Sequence, residues 1–198
     1  MLATFFDTET TGLTNFQQDY RHLSQPDLVQ IGCKLVDIKN RILISEMNIM
    51  VTPERAIEEG ARKAHNFDDA LLKAVAMPRK VAVVMFNHFI KRSQLLVAHN
   101  LDFDSRVLRT AYFRESLPDD VLVGIPKFCT MTESTNICKI PNPKRPTGYK
   151  WPGLMEAYKM LVNPDGFGNA HNAAADTEAC YQVFLKLQDL GVAPNGNG

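Results

Sequence analysis

The four cysteines of this 198-residue chain, Cys33, Cys129, Cys138 and Cys180, form no C-x-x-C pair. That excludes the usual spacing of a zinc site or a disulfide framework and fits free thiols in a reducing compartment. Net charge is lacking too: 22 Lys and Arg balance 22 Asp and Glu. The balance argues against binding nucleic acid by bulk electrostatics, but not against an enzyme whose metal ions supply positive charge locally. No basic region and no long apolar run precede Asp7. Neither a signal peptide nor a membrane span is therefore expected, and the expected location is intracellular, in the cytoplasm. What is present, 45% hydrophobic and 22% charged residues, is the composition of a globular protein. The length suits one domain, residues 1–192, with residues 193–198 expected to be a disordered tail.

The chain is organised around Phe5-Phe6-Asp7-Thr8-Glu9-Thr10-Thr11-Gly12-Leu13. Phe5 and Phe6 with their apolar and threonine neighbours predict a strand. Alternation then places Asp7 and Glu9 on one face, about 7 Å apart. Two like charges so placed suit a hard divalent cation with oxygen ligands, although an Asp-x-Glu tripeptide alone also fits an edge strand ending in solvated acids. Strands follow at Val29–Val36 and Arg41–Val51, joined by a turn at Lys39-Asn40. Short helices are predicted over residues 54–76, broken near Asn66-Phe67, with Asp68 capping the second. Pro78 fits the first turn of a helix to about Arg92. A short strand at Gln94–Ala98 leads to a helix from Phe103 to about Arg114 that Asp102 could cap. Another strand lies near Lys127–Thr130, and helices cover Trp151–Leu161 and Ala173–Leu190. Strands that first form a meander and then alternate with helices predict an α/β fold, a mixed sheet covered by helices.

Two further acids stand where a core should begin. Asp104 precedes Val107, Leu108 and Ala111 at helical spacing, and Asp176 precedes Cys180, Val183, Phe184 and Leu187. A carboxylate entering a core needs a partner. For Asp104 that could be Arg106 or Arg109 in a buried salt bridge, or a metal. His171 lies five residues before Asp176, roughly 140° around an ideal helix. To share a site it must sit on the preceding loop, where Asn172 as N-cap would place it. His22, His65 and His88 are expected to be structural, and His99 to hold a turn. Two unit charges about 4 Å apart repel by about 4 kcal/mol at an effective dielectric of ~20. Converging Asp7, Glu9, Asp104 and Asp176 therefore call for cations, two Mg²⁺ or Mn²⁺ ions that could activate water at a phosphodiester. His171 could take the proton, histidine being the side chain that ordinarily titrates near neutrality.

Three stretches in order resemble the DnaQ-like, DEDDh-type 3′→5′ exonucleases: Phe6-Asp7-Thr8-Glu9-Thr10-Thr11-Gly12-Leu13, His99-Asn100-Leu101-Asp102-Phe103-Asp104, and His171 followed by four residues and Asp176. Asn172 stands where the sister group has tyrosine, which favours the histidine type. The resemblance implies a ribonuclease H-like fold, a five-stranded mixed sheet with helices on both sides. It implies release of nucleoside 5′-monophosphates from a 3′ end with two metal ions. Asp7, Glu9, Asp104 and Asp176 would be ligands and His171 the general base. Thr10 and Leu13 would lie against the terminal nucleotide, with Phe103 shaping the pocket. The Thr10-Thr11 form resembles DNA-acting members, so mainly single-stranded DNA is the expected substrate. An exoribonuclease of the same fold is the alternative, and an inactive nucleic-acid-binding module a third reading, against which the intact acids and histidine argue. Residues 139–152 carry Lys139, Lys144, Arg145 and Lys150 with no acid. Lys144, Arg145 and Lys150 are candidates for guiding a single-stranded 3′ end, while Trp151 is expected to turn into the core. The letters identify no dimer surface and no polymerase partner, leaving a homodimer and a polymerase complex open.

Overall fold

The computed structural model describes residues 1–144 and 147–196. Among them the elements run β1 (Leu2–Thr10), β2 (Leu28–Asp37), β3 (Ile42–Met50), α1 (Glu59–His65), α2 (Asp69–Val75), α3 (Arg79–Ile90), β4 (Leu95–Ala98), α4 (Leu101–Arg114), α5 (Asp120–Val123), β5 (Lys127–Cys129), α6 (Thr130–Cys138), α7 (Leu154–Leu161) and α8 (Ala173–Asp189). The strands form one sheet in the order β3-β2-β1-β4-β5. β1, β2 and β3 are an antiparallel meander, and β4 and β5 join parallel to β1. This is the expected five-stranded mixed sheet of the ribonuclease H-like fold.

Alternation along β1 decides which helices cover which face. Phe6 packs with Ala82, Val83 and Phe86 of α3 and with Val107, Leu108 and Ala111 of α4. Phe5 points the other way, into Val97, Ala157 of α7 and Cys180, Val183, Phe184 and Leu187 of α8. Rings lock both sides: Phe6 meets Phe86 at 5.4 Å and Phe5 meets Phe184 at 5.0 Å between centroids. Each such fully buried side chain contributes about 1.5–3 kcal/mol. Central β1 is thus fixed from both faces just before Asp7 and Glu9.

Several expected boundaries move. Asp102 does not cap α4: the helix begins at Leu101, and Asn100 takes the preceding position with a left-handed φ of 68°. Asparagine tolerates that conformation, and Asp102 becomes an acid in the first turn, favoured by the helix dipole. Pro78 sits one residue before α3 rather than within it, and α7 starts at Leu154, three residues later than expected. Helices α5 and α6 were not predicted. The α6 stretch is rich in Thr, Ser and Asn, poor helix formers. Its helicity comes from burying Thr130, Ser134 and Cys138, one face at i, i+4 and i+8, where α6 packs against α7 and α8. Asp68 does cap α2, accepting from the Leu71 amide at 2.7 Å. Ala193, where the tail was expected to begin, is buried, and its amide donates to the Leu187 carbonyl at 3.1 Å.

Candidate active site

Asp7 and Glu9 lie on β1 opposite Gly32 and Gln30 of β2. Both of those residues seat the start of α8. A Cβ on Gly32 would stand 2.4 Å from the Ala173 carbonyl oxygen, so only glycine admits the helix this close. Gln30 is fully buried, donates through Nε2 to Asn48 Oδ1 at 2.8 Å and accepts from the Ala173 amide at 2.9 Å. Asn172 is the N-cap of α8, its Oδ1 accepting from the Ala174 amide at 3.2 Å. His171 is therefore outside the helix, exposed, with φ 64°. Its amide donates to Asp176 Oδ2 at 3.1 Å, so the left-handed turn folds back over the acid it precedes.

Asp104 reaches the site from the opposite side of the sheet. It is 2% exposed, and its Oδ1 accepts from the Thr8 amide at 2.9 Å and the Thr8 hydroxyl at 2.7 Å. Neither arginine considered as its partner takes that role. Arg106 donates to the Gln18 carbonyl at 2.6 Å, and Arg109 to Asp119 Oδ2 at 2.6 Å. The alternation of β1 explains the arrangement: Thr8 faces α4 and grips Asp104, while Asp7 and Glu9 face α8.

The electrostatics report mutual crowding. Burial, and then the charges of Asp104, Asp176 and Glu9, raise the Asp7 carboxyl well above its ordinary range. Burial and then Asp176 and Asp104 push Glu9 up to about 8. Burial raises Asp104 to about 7 against the pull of the Thr8 hydrogen bonds. Burial lifts Asp176 to about 6, moderated by the His171 amide and ring. One ligand atom each from Glu9, His171 and Asp176 lies within 4.8 Å of the other two. Asp176 Oδ1 is buried with no hydrogen-bond partner among the described residues. An orphaned carboxylate oxygen within a cluster of hard oxygen donors fits Mg²⁺ or Mn²⁺.

The remaining predicted residues are distributed as follows. Thr10 is buried at the end of β1; its hydroxyl donates to the Gly12 carbonyl at 2.6 Å, and its own carbonyl accepts from His65 Nε2 at 3.2 Å. The Phe67 amide donates to His65 Nδ1, so Nε2 carries the proton, and burial holds this ring's pKa below the ordinary value. Leu13 follows Thr10 in the open, 85% exposed. Phe103, adjacent to Asp104, is half-buried against the α3–α4 cluster. Lys144 is exposed, Lys150 pairs with Glu156 at 2.5 Å, and Arg145 lies outside the described residues. Trp151 is not in the core but 66% exposed, because the neighbouring Pro152 is the residue that turns inward.

Sequence reasoning missed Thr8 and the full role of His99. His99 donates from Nε2 to the Pro152 carbonyl at 3.0 Å, and its Nδ1 accepts from the Thr130 hydroxyl at 2.9 Å. Burial holds its pKa at about 4, so it is a neutral strut. The signal for Thr8 was available: a threonine alternating with two acids faces the helix that carries the third.

A ribonuclease H-like sheet with carboxylates from its central strand and from a helix on each face defines a class of phosphodiester-directed metal sites. Within that class, the exonuclease (RNase T) family model matches residues 4–184, and the chain belongs to that family, in its DnaQ-like branch. It is 25% identical over 186 residues to DNA polymerase III subunit epsilon of Pasteurella multocida, covering 91% of this chain and 66% of that one. It is 28% identical over 185 residues to the epsilon subunit of Buchnera aphidicola, covering 91% and 70%. The chain thus spans about two thirds of the length of these relatives. Among solved structures, E. coli Exonuclease I in complex with a dT13 oligonucleotide superposes with a TM-score of 0.74 at 16% identity, over 94% of this chain and 41% of that one. Exonuclease X in complex with 5′ overhanging duplex DNA superposes with a TM-score of 0.58 at 21% identity, over 96% and 93%. At these identities the structural likeness concerns the fold.

Proposed function

We propose that the protein is a metal-dependent 3′→5′ exonuclease that removes nucleoside 5′-monophosphates from the 3′ end of mainly single-stranded DNA. The observation that carries this reading is the convergence of Glu9, His171 and Asp176 within 4.8 Å, with the Asp7 and Asp104 carboxyls raised by burial and by the neighbouring acids. Asp7, Glu9, Asp104 and Asp176 would hold two divalent cations. Bound there, Mg²⁺ or Mn²⁺ supplies Lewis acidity and positive charge at the attacked phosphate.

The chain's own residues do the rest. His171 sits on an exposed loop at the edge of the cage, where its ring can accept a proton from the attacking water. The water oxygen bonds to the phosphorus of the terminal nucleotide. The bond from that phosphorus to the 3′ oxygen of the preceding nucleotide breaks, and the released 3′ oxygen takes a proton from solvent. Thr10 and exposed Leu13 lie just beyond Glu9, and Phe103 just before Asp104, positions from which they can bracket the terminal sugar and base. DNA as substrate is supported by the epsilon-subunit relatives and by the oligonucleotide held in Exonuclease I.

The test is hydrolysis of a 5′-labelled single-stranded DNA oligonucleotide with Mg²⁺ or Mn²⁺, beside Asp7→Ala and an EDTA control. A ladder shortening from the 3′ end, absent in both controls, is the expected result. Cleavage that survives EDTA, or internal cuts in a circular strand, would overturn the reading.

A further inference from the structure

Between α6 and α7 the chain carries groups that the chemistry does not use. Pro141 and Tyr149 form an isolated antiparallel bridge, and the Lys150 amide donates to the Ile140 carbonyl at 2.9 Å. An open groove of about 590 Å³ is lined by Asn142, Pro143, Lys144, Tyr149, Lys150 and Trp151. Two aromatic side chains there face solvent, Tyr149 at 42% and Trp151 at 66% exposure. Leaving an indole in water forgoes the favourable burial available to it. Among the described residues, the lining has two lysines and no acid. Glu156 meets the Lys150 ammonium at 2.5 Å from outside the lining, orienting that cation at the groove's rim.

Pro152, next to the groove's Trp151, is fastened to the catalytic side of the sheet. Its carbonyl accepts from His99, which accepts in turn from Thr130, whose hydroxyl lies 3.5 Å from Cys180 Sγ on α8, one turn beyond Asp176. Along β4 the register pairs Phe5 with Val97. Carried two residues on, it sets His99 level with Asp7. Pro152, which follows the groove's Trp151, is thereby tied to the α8 face, the face towards which Asp7 and Glu9 point.

We propose that this groove is a subsite for unpaired nucleotides of the substrate strand, with a base stacked on the Trp151 indole beside Tyr149 and the adjoining phosphates on Lys144 and Lys150. The proposal rests on the exonuclease reading above and adds to it the source of single-strand preference. A base can stack on an aromatic side chain only when its π-face is free of a neighbour, and every base has one, so such a platform is strand-selective and sequence-tolerant.

Trp151 is the chain's one tryptophan, so its emission reports the groove directly. Asp7→Asn protein with Mg²⁺ is titrated with a labelled oligothymidylate and with an abasic deoxyribose-phosphate oligomer of the same length, following both tryptophan emission and the anisotropy of the label. The expected result is quenching by the oligothymidylate and little by the abasic oligomer. In the same Asp7→Asn background, Trp151→Ala weakens oligothymidylate binding by about tenfold and Trp151→Phe restores most of it. In the otherwise wild-type protein, hydrolysis of the p-nitrophenyl ester of thymidine 5′-monophosphate, a single nucleotide that does not extend to the groove, is unchanged by Trp151→Ala. Equal quenching by the abasic oligomer, unchanged affinity in Trp151→Ala, or equal loss on the ester would overturn the subsite. A wild-type protein that cleaves neither the ester nor any oligonucleotide would overturn the exonuclease reading, and the binding data would then decide the groove alone.

Discussion

At the scale of single residues, the site consists of groups placed against their own stability. Asp104 shows the cost most plainly. It is 2% exposed and pushed up to about 7 by burial, although two Thr8 donors favour its charged form. In Asp104→Asn the side-chain carbonyl can still accept both Thr8 bonds, so the substitution removes the charge and keeps the packing. The metal-free variant should melt higher than wild type at pH 8, by roughly 5 °C, and be inactive; a lower melting temperature would mean that the carboxylate is paired in the folded protein. His171 permits a second separation of roles. Its φ of 64° is one asparagine tolerates, so His171→Asn removes the ring without straining the loop. If the ring accepts the proton, kcat should fall by about 10²–10⁴ while the thermal shift produced by Mg²⁺ or Mn²⁺ is kept. Loss of the metal shift together with activity would assign the ring to the metal instead, a role its proximity to Glu9 and Asp176 allows.

At the scale of elements, the site depends on how closely α8 settles on β2. Gly32 is the critical contact, since a Cβ there would meet the Ala173 carbonyl at 2.4 Å and its carbon at 2.5 Å, both backbone atoms that cannot rotate away. Gly32→Ala should lift the start of α8 and separate Asp176 and His171 from Glu9. The expected outcome is loss of the metal-induced thermal shift and of activity, with the circular dichroism spectrum retained; full activity in this variant would show that α8 need not sit so low. The same distinction explains what could be read from the letters. Asp7 and Glu9 are legible because strand alternation is strict. Asp104 and Asp176 are legible because an acid at the head of an apolar helical stripe is costly without a partner. What depends on distant packing was not legible. The helicity of Thr130–Cys138 is imposed by its packing against α7 and α8, and the start of α4 is set by the left-handed turn at Asn100 rather than by Asp102. Trp151 faces outward because Pro152 is the residue strapped to His99.

At the scale of the whole molecule, the four acids link folding to protons and to metal. In the unfolded chain aspartate and glutamate release their protons near pH 4, whereas in the folded protein Asp176, Asp104 and Glu9 retain them to about 6, 7 and 8, and Asp7 is raised as well. Between those limits the folded state holds more protons than the unfolded one, so the stability of the metal-free protein must fall as pH rises through the window. Well below pH 4 all these groups are protonated in both states and the penalty disappears; above about pH 8 it is nearly complete for Asp176, Asp104 and Glu9. A divalent cation reverses the sign, because it binds the deprotonated cage and stabilises the folded state by an amount that grows with its effective affinity. Its affinity must therefore rise with pH over the same interval in which the metal-free protein weakens. Thermal melts at pH 5 and pH 8, each with EDTA and with Mg²⁺ or Mn²⁺, measure both effects. In EDTA the midpoint should be lower at pH 8. With metal at about a hundred times Kd at pH 8, it should rise by roughly 5–10 °C there and by far less at pH 5. A metal-induced shift of equal size at both pH values would mean that the ion is held by groups that do not titrate in this range, and would remove the four-acid cage as its site.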